Sequence, residues 1–345
     1  MATGADSRDL RASVPLVSVI LPVRNGALYL KRSLPAIRAS SFRDYELIVV
    51  DDGSTDPTPD ILKTHAPDTL LTNAQSLGAF ASRNRGAAHA RGRILVFVDA
   101  DVVIHPETLA RIAEQLRDGT GEALIGVYSL SQPNRNLCSI YKNAWIRFSY
   151  LAAPDTVSWF FTAIGAVRRE AWDRYGPFDS KFEPRYGGGD IEFGQRLSRQ
   201  GVCIALDKRL EVTHLKTFSL RALLLNDLRR AMGYTRLTLR SRRPGLPGAN
   251  GIANVSNRFL AGVVLATAGL LSSALAIVVH ELWALALVIG LLWVGVNASF
   301  LRYFAKHVSP ALALAIVPIM FVDQLFCAVG ATVGVWQYRR SARAA

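Results

Sequence analysis

Two acid-tipped segments carry the chemistry in this sequence. Leu47-Ile48-Val49-Val50 runs into Asp51-Asp52-Gly53-Ser54, and Ile94-Leu95-Val96-Phe97-Val98 runs into Asp99-Ala100-Asp101. Short apolar, β-branched runs of this kind predict buried parallel strands. Their carboxylates then emerge at the open edge of a sheet, where α/β folds bind their ligands. Two acidic tips at one edge predict a single polar site. A hard divalent cation such as Mg²⁺ takes oxygen ligands there, usually one or two carboxylates plus substrate phosphates. The expected chemistry is therefore handling of a metal-bound diphosphate.

The elements that must hold these tips follow from the surrounding pattern. Residues 17–21 predict a first strand stopped by Pro22, and a helix spans about 28–39. A turn-rich loop from Asp51 to Pro57 caps the next helix. A short strand near 69–71 leads to a glycine-started helix, Gly78-Ala79-Phe80-Ala81-Ser82-Arg83-Asn84-Arg85-Gly86-Ala87-Ala88. Strand–helix alternation implies a parallel, doubly wound α/β sheet. From 121 to 215 the pattern is less regular. It predicts strands at 123–130, 162–169, 202–206 and 211–213, an aromatic-rich helix at 136–150, and a helix opened by Gly187-Gly188-Gly189-Asp190-Ile191-Glu192-Phe193.

The chain has 345 residues, half of them hydrophobic, and a net charge of +13. Both excesses are local. Residues 214–258 hold nine Lys/Arg against one acid, Asp227, so +8 of the +13 lies just before the first long apolar run. Basic residues beside a membrane segment bind anionic lipid and mark the cytoplasmic side. This context argues against nucleic acid as the partner. Residues 218–243 place Arg229, Arg236, Arg240 and Arg243 on one helical face and Leu220, Leu224, Leu228 and Ala231 on another, the pattern of an interfacial helix; a surface helix packed on the domain is the alternative. Apolar runs at 259–279 and 282–301 are each long enough to span a bilayer and read as a tight hairpin. The run 310–336 contains Pro318 and Asp323 and is followed by Arg339, Arg340 and Arg343. A third span is the preferred reading, against a re-entrant or broken segment that would satisfy the positive-inside bias. Asp323 is a candidate for a lipid contact or a helix–helix hydrogen bond.

Cys138, Cys203 and Cys327 have no metal-ligand spacing and suit a reducing compartment. Residues 1–13 lack an apolar signal core, so the catalytic half is expected to face the cytoplasm at the inner membrane. The division is a loose tail at 1–14, a catalytic domain at 15–215, a basic helix and linker at 216–257, membrane segments at 258–338 and a basic tail at 339–345.

Several motifs, in order, resemble a family 2 glycosyltransferase of the GT-A fold, of the membrane-anchored bacterial type. They are Val17-Ser18-Val19-Ile20-Leu21-Pro22-Val23-Arg24-Asn25, Val50-Asp51-Asp52-Gly53-Ser54-Thr55-Asp56, Arg83-Asn84-Arg85-Gly86, Ala90-Arg91-Gly92-Arg93, Asp99-Ala100-Asp101 and Gly189-Asp190-Ile191-Glu192-Phe193. The resemblance covers about residues 15–215. It implies that Pro22 and Asp52 line the base and ribose pocket and that Arg83 sits near the nucleotide. It also implies that Asp99 faces the ribose or metal, that Asp101 is the metal ligand, and that Asp190 is the catalytic base. His214 falls where some members place a histidine near metal and phosphates. Where the family often has Glu-Asp, this chain has Gly189-Asp190. Asp51 reads as a loop cap, and Glu192 as either a helix-start carboxylate or a functional group.

These roles suit the reaction. Departure of a nucleoside diphosphate needs charge stabilisation, supplied by Mg²⁺ or Mn²⁺, and an attacking hydroxyl needs a base. One base opposite the leaving group implies inversion. The expected donor is a UDP- or GDP-linked sugar, and the acceptor a hydroxyl of a lipid-linked or glycan molecule in cell-envelope synthesis. A polyprenyl-phosphate sugar synthase is the alternative. Such enzymes typically carry Tyr-Asn-Glu where this chain has Arg24-Asn25-Gly26, and a phosphate acceptor needs little help from a base. A non-catalytic scaffold would be expected to lose Asp101 or Asp190, and a processive synthase to carry Gln-x-x-Arg-Trp after the base helix. Neither holds here.

Overall fold

A computed structural model describes residues 14–119, 121–133, 136–180, 188–241 and 255–343. The N-terminal tail, Gly187 and the basic pair Arg242-Arg243 lie outside these. The apolar runs form four adjacent parallel strands, β1 (Val17–Val23), β2 (Tyr45–Asp51), β3 (Thr69–Thr72) and β4 (Ile94–Val98). Helices α1 (Ala27–Arg38), α2 (Thr58–His65) and α3 (Ala79–His89) cross between them. β1 and β4 are buried along their whole length, as strands covered on both faces must be.

Pro22 does not stop β1. Val17 N–H donates to Asp44 O and Val23 O accepts from Asp52 N–H, so the odd positions face β2. Pro22 faces the other edge, where pairing with β4 has already ended at Ile20. Its missing N–H therefore costs no ladder bond.

Beyond β4 come β5 (Val102–Ile104), α4 (Thr108–Leu116), β6 (Ala123–Tyr128), α5 (Leu137–Leu151), β7 (Thr156–Val157), β8 (Ile164–Arg168), α6 (Arg169–Tyr175), α7 (Gly189–Arg199) and β9 (Ile204–His214). The sheet has the order β3-β2-β1-β4-β8-β6-β9-β5, with β7 also on β9. The parallel sheet expected from the strand–helix alternation is present in β1 to β4, and beyond β4 the sheet is mixed. β8 enters antiparallel between β4 and β6, and β5 and β7 run antiparallel to β9. The two short strands expected at 202–206 and 211–213 are one strand, β9, whose pairing with β6 shifts register between Ile125 and Val127.

Four helices complete the chain: α8 (Leu220–Ser241), α9 (Asn257–Ala276), α10 (Leu282–His307) and α11 (Pro310–Arg343). The last three are long and apolar enough to cross a membrane. α11 is continuous through Pro318, so the broken-segment reading of 310–336 is not what the structure has. The exposed large apolar side chains concentrate on α9, α10 and the turn between them, from Val264 to Val294, while α11 exposes only Leu314, Val329 and Trp336 among the described residues. α11 instead packs along α8. A Cβ on Gly330 would lie 2.3 Å from Leu228 O, and one on Gly334 2.8 Å from Met232 O. Two glycines four residues apart let the helix backbones approach.

This close contact is testable. Gly330→Leu must push α8 off α11 and should destabilise the protein by about 1–3 kcal/mol, read as a lower melting midpoint of the detergent-solubilised protein. Gly290→Leu, where a new Cβ meets nothing within 4 Å, should leave the midpoint in place.

Candidate active site

The first acidic tip is an organiser of loops. Asp51 Oδ1 accepts Ser54 N–H at 3.0 Å, the cap expected of it. Asp52 is buried and its carboxylate accepts four hydrogen bonds, from Asn73 Nδ2 (2.7 Å), Ser76 Oγ (2.7 Å), Leu77 N–H (2.8 Å) and Gly78 N–H (2.9 Å). Burial works against its ionisation, but these donors outweigh it and hold the pKa down at about 2. Asp52 thus latches the segment that launches α3. Gly53 lies in the left-handed region at φ +67°, with a Cβ position 3.1 Å from the backbone of residues 75–76, so a side chain there would be strained.

α3 explains the Arg-Asn-Arg-Gly motif residue by residue. Arg83 is buried and pairs with Asp99. Asn84 clamps the backbone of Phe178, donating to its carbonyl (2.8 Å) and accepting from its N–H (3.0 Å). Arg85 donates to Thr72 O. At Gly86 a Cβ would lie 2.7 Å from Ile20 Cγ2, so the glycine sets how closely α3 lies on β1.

The second acidic tip splits its two carboxylates. Asp99 turns to Arg83, whereas Asp101 Oδ2 faces His214 Nε2 at 3.6 Å. His214, at the end of β9, stacks on Tyr128 with ring centroids 4.3 Å apart. Its Nδ1 meets Asn143 Oδ1 at 2.8 Å, and the Asn143 amide nitrogen is turned to Gln132. Asn143 Oδ1 therefore accepts a hydrogen bond from Nδ1–H, which in a neutral ring leaves the Nε2 lone pair aimed at Asp101. Two lone-pair donors facing each other require a cation between them, either a proton or a metal ion. Burial pushes the Asp101 pKa up; where the cation is a proton on Nε2, the hydrogen bond and charge of His214, with the charge of Lys216, prevail and lower it.

Asp190 stands in the first turn of α7. Its carboxylate accepts Ile191 N–H at 2.9 Å, and its carbonyl accepts Phe160 N–H. The preceding Gly188 has φ +96°, and a Cβ on Gly189 would lie 2.5 Å from the Phe80 ring. That ring fills the place an acid at 189 would need. Burial raises the Asp190 pKa and Asp99 adds to the effect, against the charges of Arg230 and Arg83. Glu192 pairs with Arg196 one turn on.

One cleft is lined by Asp99, Asp101, Asp190 and His214. Arg83 joins through Asp99, while Pro22 and Asp52 sit at the ends of β1 and β2 outside that lining. Lys142, Lys216, Asn226 and Arg230 line the same cleft and were not foreseen as site residues. Lys142 of α5 forms a buried ion pair with Asp227 of α8, and Arg230 donates to Tyr234 OH at 2.6 Å. The signal was present in the sequence. Asp227, the lone acid of a strongly basic stretch, shares a helical face with Arg230 and Tyr234 at i, i+3 and i+7.

Among the described residues, no group of three His, Cys, Asp or Glu could hold a metal unaided. The facing pair Asp101 and His214 still fits a hard divalent cation. Such ions bind through one or two carboxylates and complete their shell with substrate phosphates and water. The orienting bond from Asn143 is the support that metal-binding histidines generally have.

Residues 18–176 match the sequence profile of the family described as Glycosyl transferase family 2. Glycosyltransferase AglE of Haloferax volcanii is 29% identical over 199 residues, covering 56% of this chain and 64% of that protein. Validoxylamine A glucosyltransferase of Streptomyces hygroscopicus subsp. jinggangensis is 26% identical over 252 residues, covering 62% of this chain and 60% of that one. The chain thus spans a little under two thirds of each relative. A mannosyltransferase from Pyrobaculum calidifontis, solved with GDP-Man and Mn²⁺, superposes with a TM-score of 0.58 at 20% identity, over 94% of this chain and 88% of its own. Residues 18–176 thus match the Glycosyl transferase family 2 profile, and the chain shares the fold of that mannosyltransferase structure.

Proposed function

We propose that the protein is a membrane-associated, inverting glycosyltransferase. It moves a sugar from a UDP- or GDP-linked donor to a hydroxyl of a lipid-linked or glycan acceptor in cell-envelope synthesis, on the cytoplasmic face of the inner membrane. The observation that carries this reading is the single cleft joining Asp99, Asp101, His214 and Asp190. Asp101 and His214 would hold Mg²⁺ or Mn²⁺, which supplies charge stabilisation to the departing diphosphate. Lys216 and Arg230 add positive charge to the same cleft. Asp99 is neutralised by Arg83 and would position the ribose side of the donor.

Asp190 takes the proton of the attacking hydroxyl. A raised pKa suits that task, because the strength of a base grows with its pKa while it stays ionised near neutral pH. The exposed apolar surface of the α9–α10 hairpin would hold the domain against anionic lipid, together with the basic residues of 214–258. A phosphate acceptor would leave Asp190 without work, so the polyprenyl-phosphate synthase remains the second reading.

Donor hydrolysis by the purified, solubilised protein tests the proposal, with a panel of nucleotide sugars and Mg²⁺ or Mn²⁺. One nucleoside diphosphate should be released, and Asp101→Ala should abolish its release. Turnover and binding of no donor at all would favour a scaffold. With a hydroxyl acceptor, Asp190→Asn should lower kcat by about 10²–10⁴-fold while donor KM changes little. Full transfer to polyprenyl phosphate by that variant would instead establish the second reading.

The pH profile supplies a separate test. Activity needs Asp190 ionised, so it should fall as pH drops through the Asp190 pKa, at a pH above that of an ordinary aspartate. Arg230 lowers that pKa. Arg230→Met should therefore move the acid limb of the kcat profile to higher pH. An unmoved limb would separate Asp190 from the rate-limiting proton transfer.

A further inference from the structure

The catalytic cleft continues into a second cavity. Lys142, Ile146 and Arg230 line both the cleft and an adjoining groove. Past those three the walls are largely apolar, with Trp145 from α5, Phe259, Leu260 and Val263 from α9, and Ala331 from α11. Two of these helices are long and apolar enough to cross a membrane. Val264, beside Val263 but pointing away, is 66% exposed on the open face of α9. The groove thus begins at Lys142 and Arg230 of the cleft and runs to the helix whose outer face is membrane-compatible.

A soluble glycan gains nothing from such walls, whereas an alkyl or prenyl chain removed from water or lipid headgroups gains contact along its length. We infer that this groove seats the apolar chain of a lipid-borne acceptor, with its polar head at Lys142 and Arg230 beside Asp190. The inference rests on the sugar-transfer reading above and selects the lipid-linked acceptor over the free glycan. It also gives the α5–α8 contact a task in the reaction, since Lys142 and Arg230 stand at the junction of chain and head.

The test uses the full-length protein in phosphatidylcholine nanodiscs and a farnesyl phosphate bearing a diazirine on its chain. Photolabelling of the wild type should map by mass spectrometry to Trp145, Phe259 or Val263; labelling confined to the outer face of α9 and α10 overturns the inference. Val263→Trp and Leu260→Trp, which fill the groove from successive turns, should each cut labelling by about tenfold or more, and Val264→Trp should leave it unchanged. Labelling that survives both fillings, or is competed equally well by phosphatidylglycerol, also overturns it, the latter making the groove a site for ordinary bilayer lipid. Nucleotide-sugar hydrolysis is measured on the same wild-type samples. Groove-dependent labelling without any hydrolysis would retain the lipid site and sink sugar transfer, and hydrolysis without groove labelling would do the reverse.

Discussion

The buried ion pair between Lys142 and Asp227 fixes how the two halves of this protein meet. Both side chains are about 7% exposed. Losing either partner would leave an uncompensated buried charge, at a cost of about 3–5 kcal/mol. The pair joins α5 to α8, and its neighbours extend the junction in both directions. Tyr141 donates to Asp323 of α11 at 2.9 Å, and Asn143 orients His214. Three consecutive residues of one helix therefore address a membrane-compatible helix, the basic helix and the candidate metal ligand. Consecutive positions on a helix point about 100° apart, so a helix surrounded on three sides is what this arrangement requires. One turn further on, Trp145 and Phe148 pack on Phe300, which seats α10 on the same helix.

Such a junction limits where the apolar helices can go. α8 turns Asp227, Arg230 and Tyr234 inward and lays Leu228 and Met232 against the glycines of α11. Its interfacial position remains a proposal. Within the protein it has a definite role, as a wall of the cleft. Asp323, which the sequence left between lipid contact and helix contact, is buried and bonded to Tyr141 of α5. An acid inside an apolar helix is costly unless paired, and the hydroxyl of Tyr141 is its partner.

The parts legible in the sequence were those whose cause is local. Apolar β-branched runs gave β1, β2 and β4, and the acids that end them lie where a parallel sheet delivers them. Gly53 and Gly86 were legible as part of a motif, with reasons that the packing supplies. The parts that were not legible depend on partners far away in the chain. The antiparallel entry of β8 between β4 and β6 is a choice of neighbours that no local period encodes. The inward face of α8 has its partners at Lys142 and Gly330, roughly a hundred residues away on either side. The basic residues drew attention to the outer face because charge is easy to count, while one acid among nine cations marked the inner one. Gly330 and Gly334 were a readable small-residue pair, hidden by the length of the apolar run around them.

Asp99 and Asp101 differ by two positions in the chain and by much more in chemistry. Each emerges from the end of β4, and a strand would send both side chains to the same face. The chain leaves the strand after Val98, however, and Val102 N–H bonds back to Asp99 O in a tight turn. That turn separates the carboxylates. Asp99 is spent on Arg83, whose charge it balances inside the domain, and Asp101 is left facing an imidazole that cannot donate to it in the neutral, Asn143-bound tautomer. Of the two, Asp101 has the stronger need for a cation, and Asp99 the weaker claim as a metal ligand. The sequence presents two equivalent acids; the turn between them gives one to the fold's own arginine and leaves the other, under the proposed function, free for a metal ion.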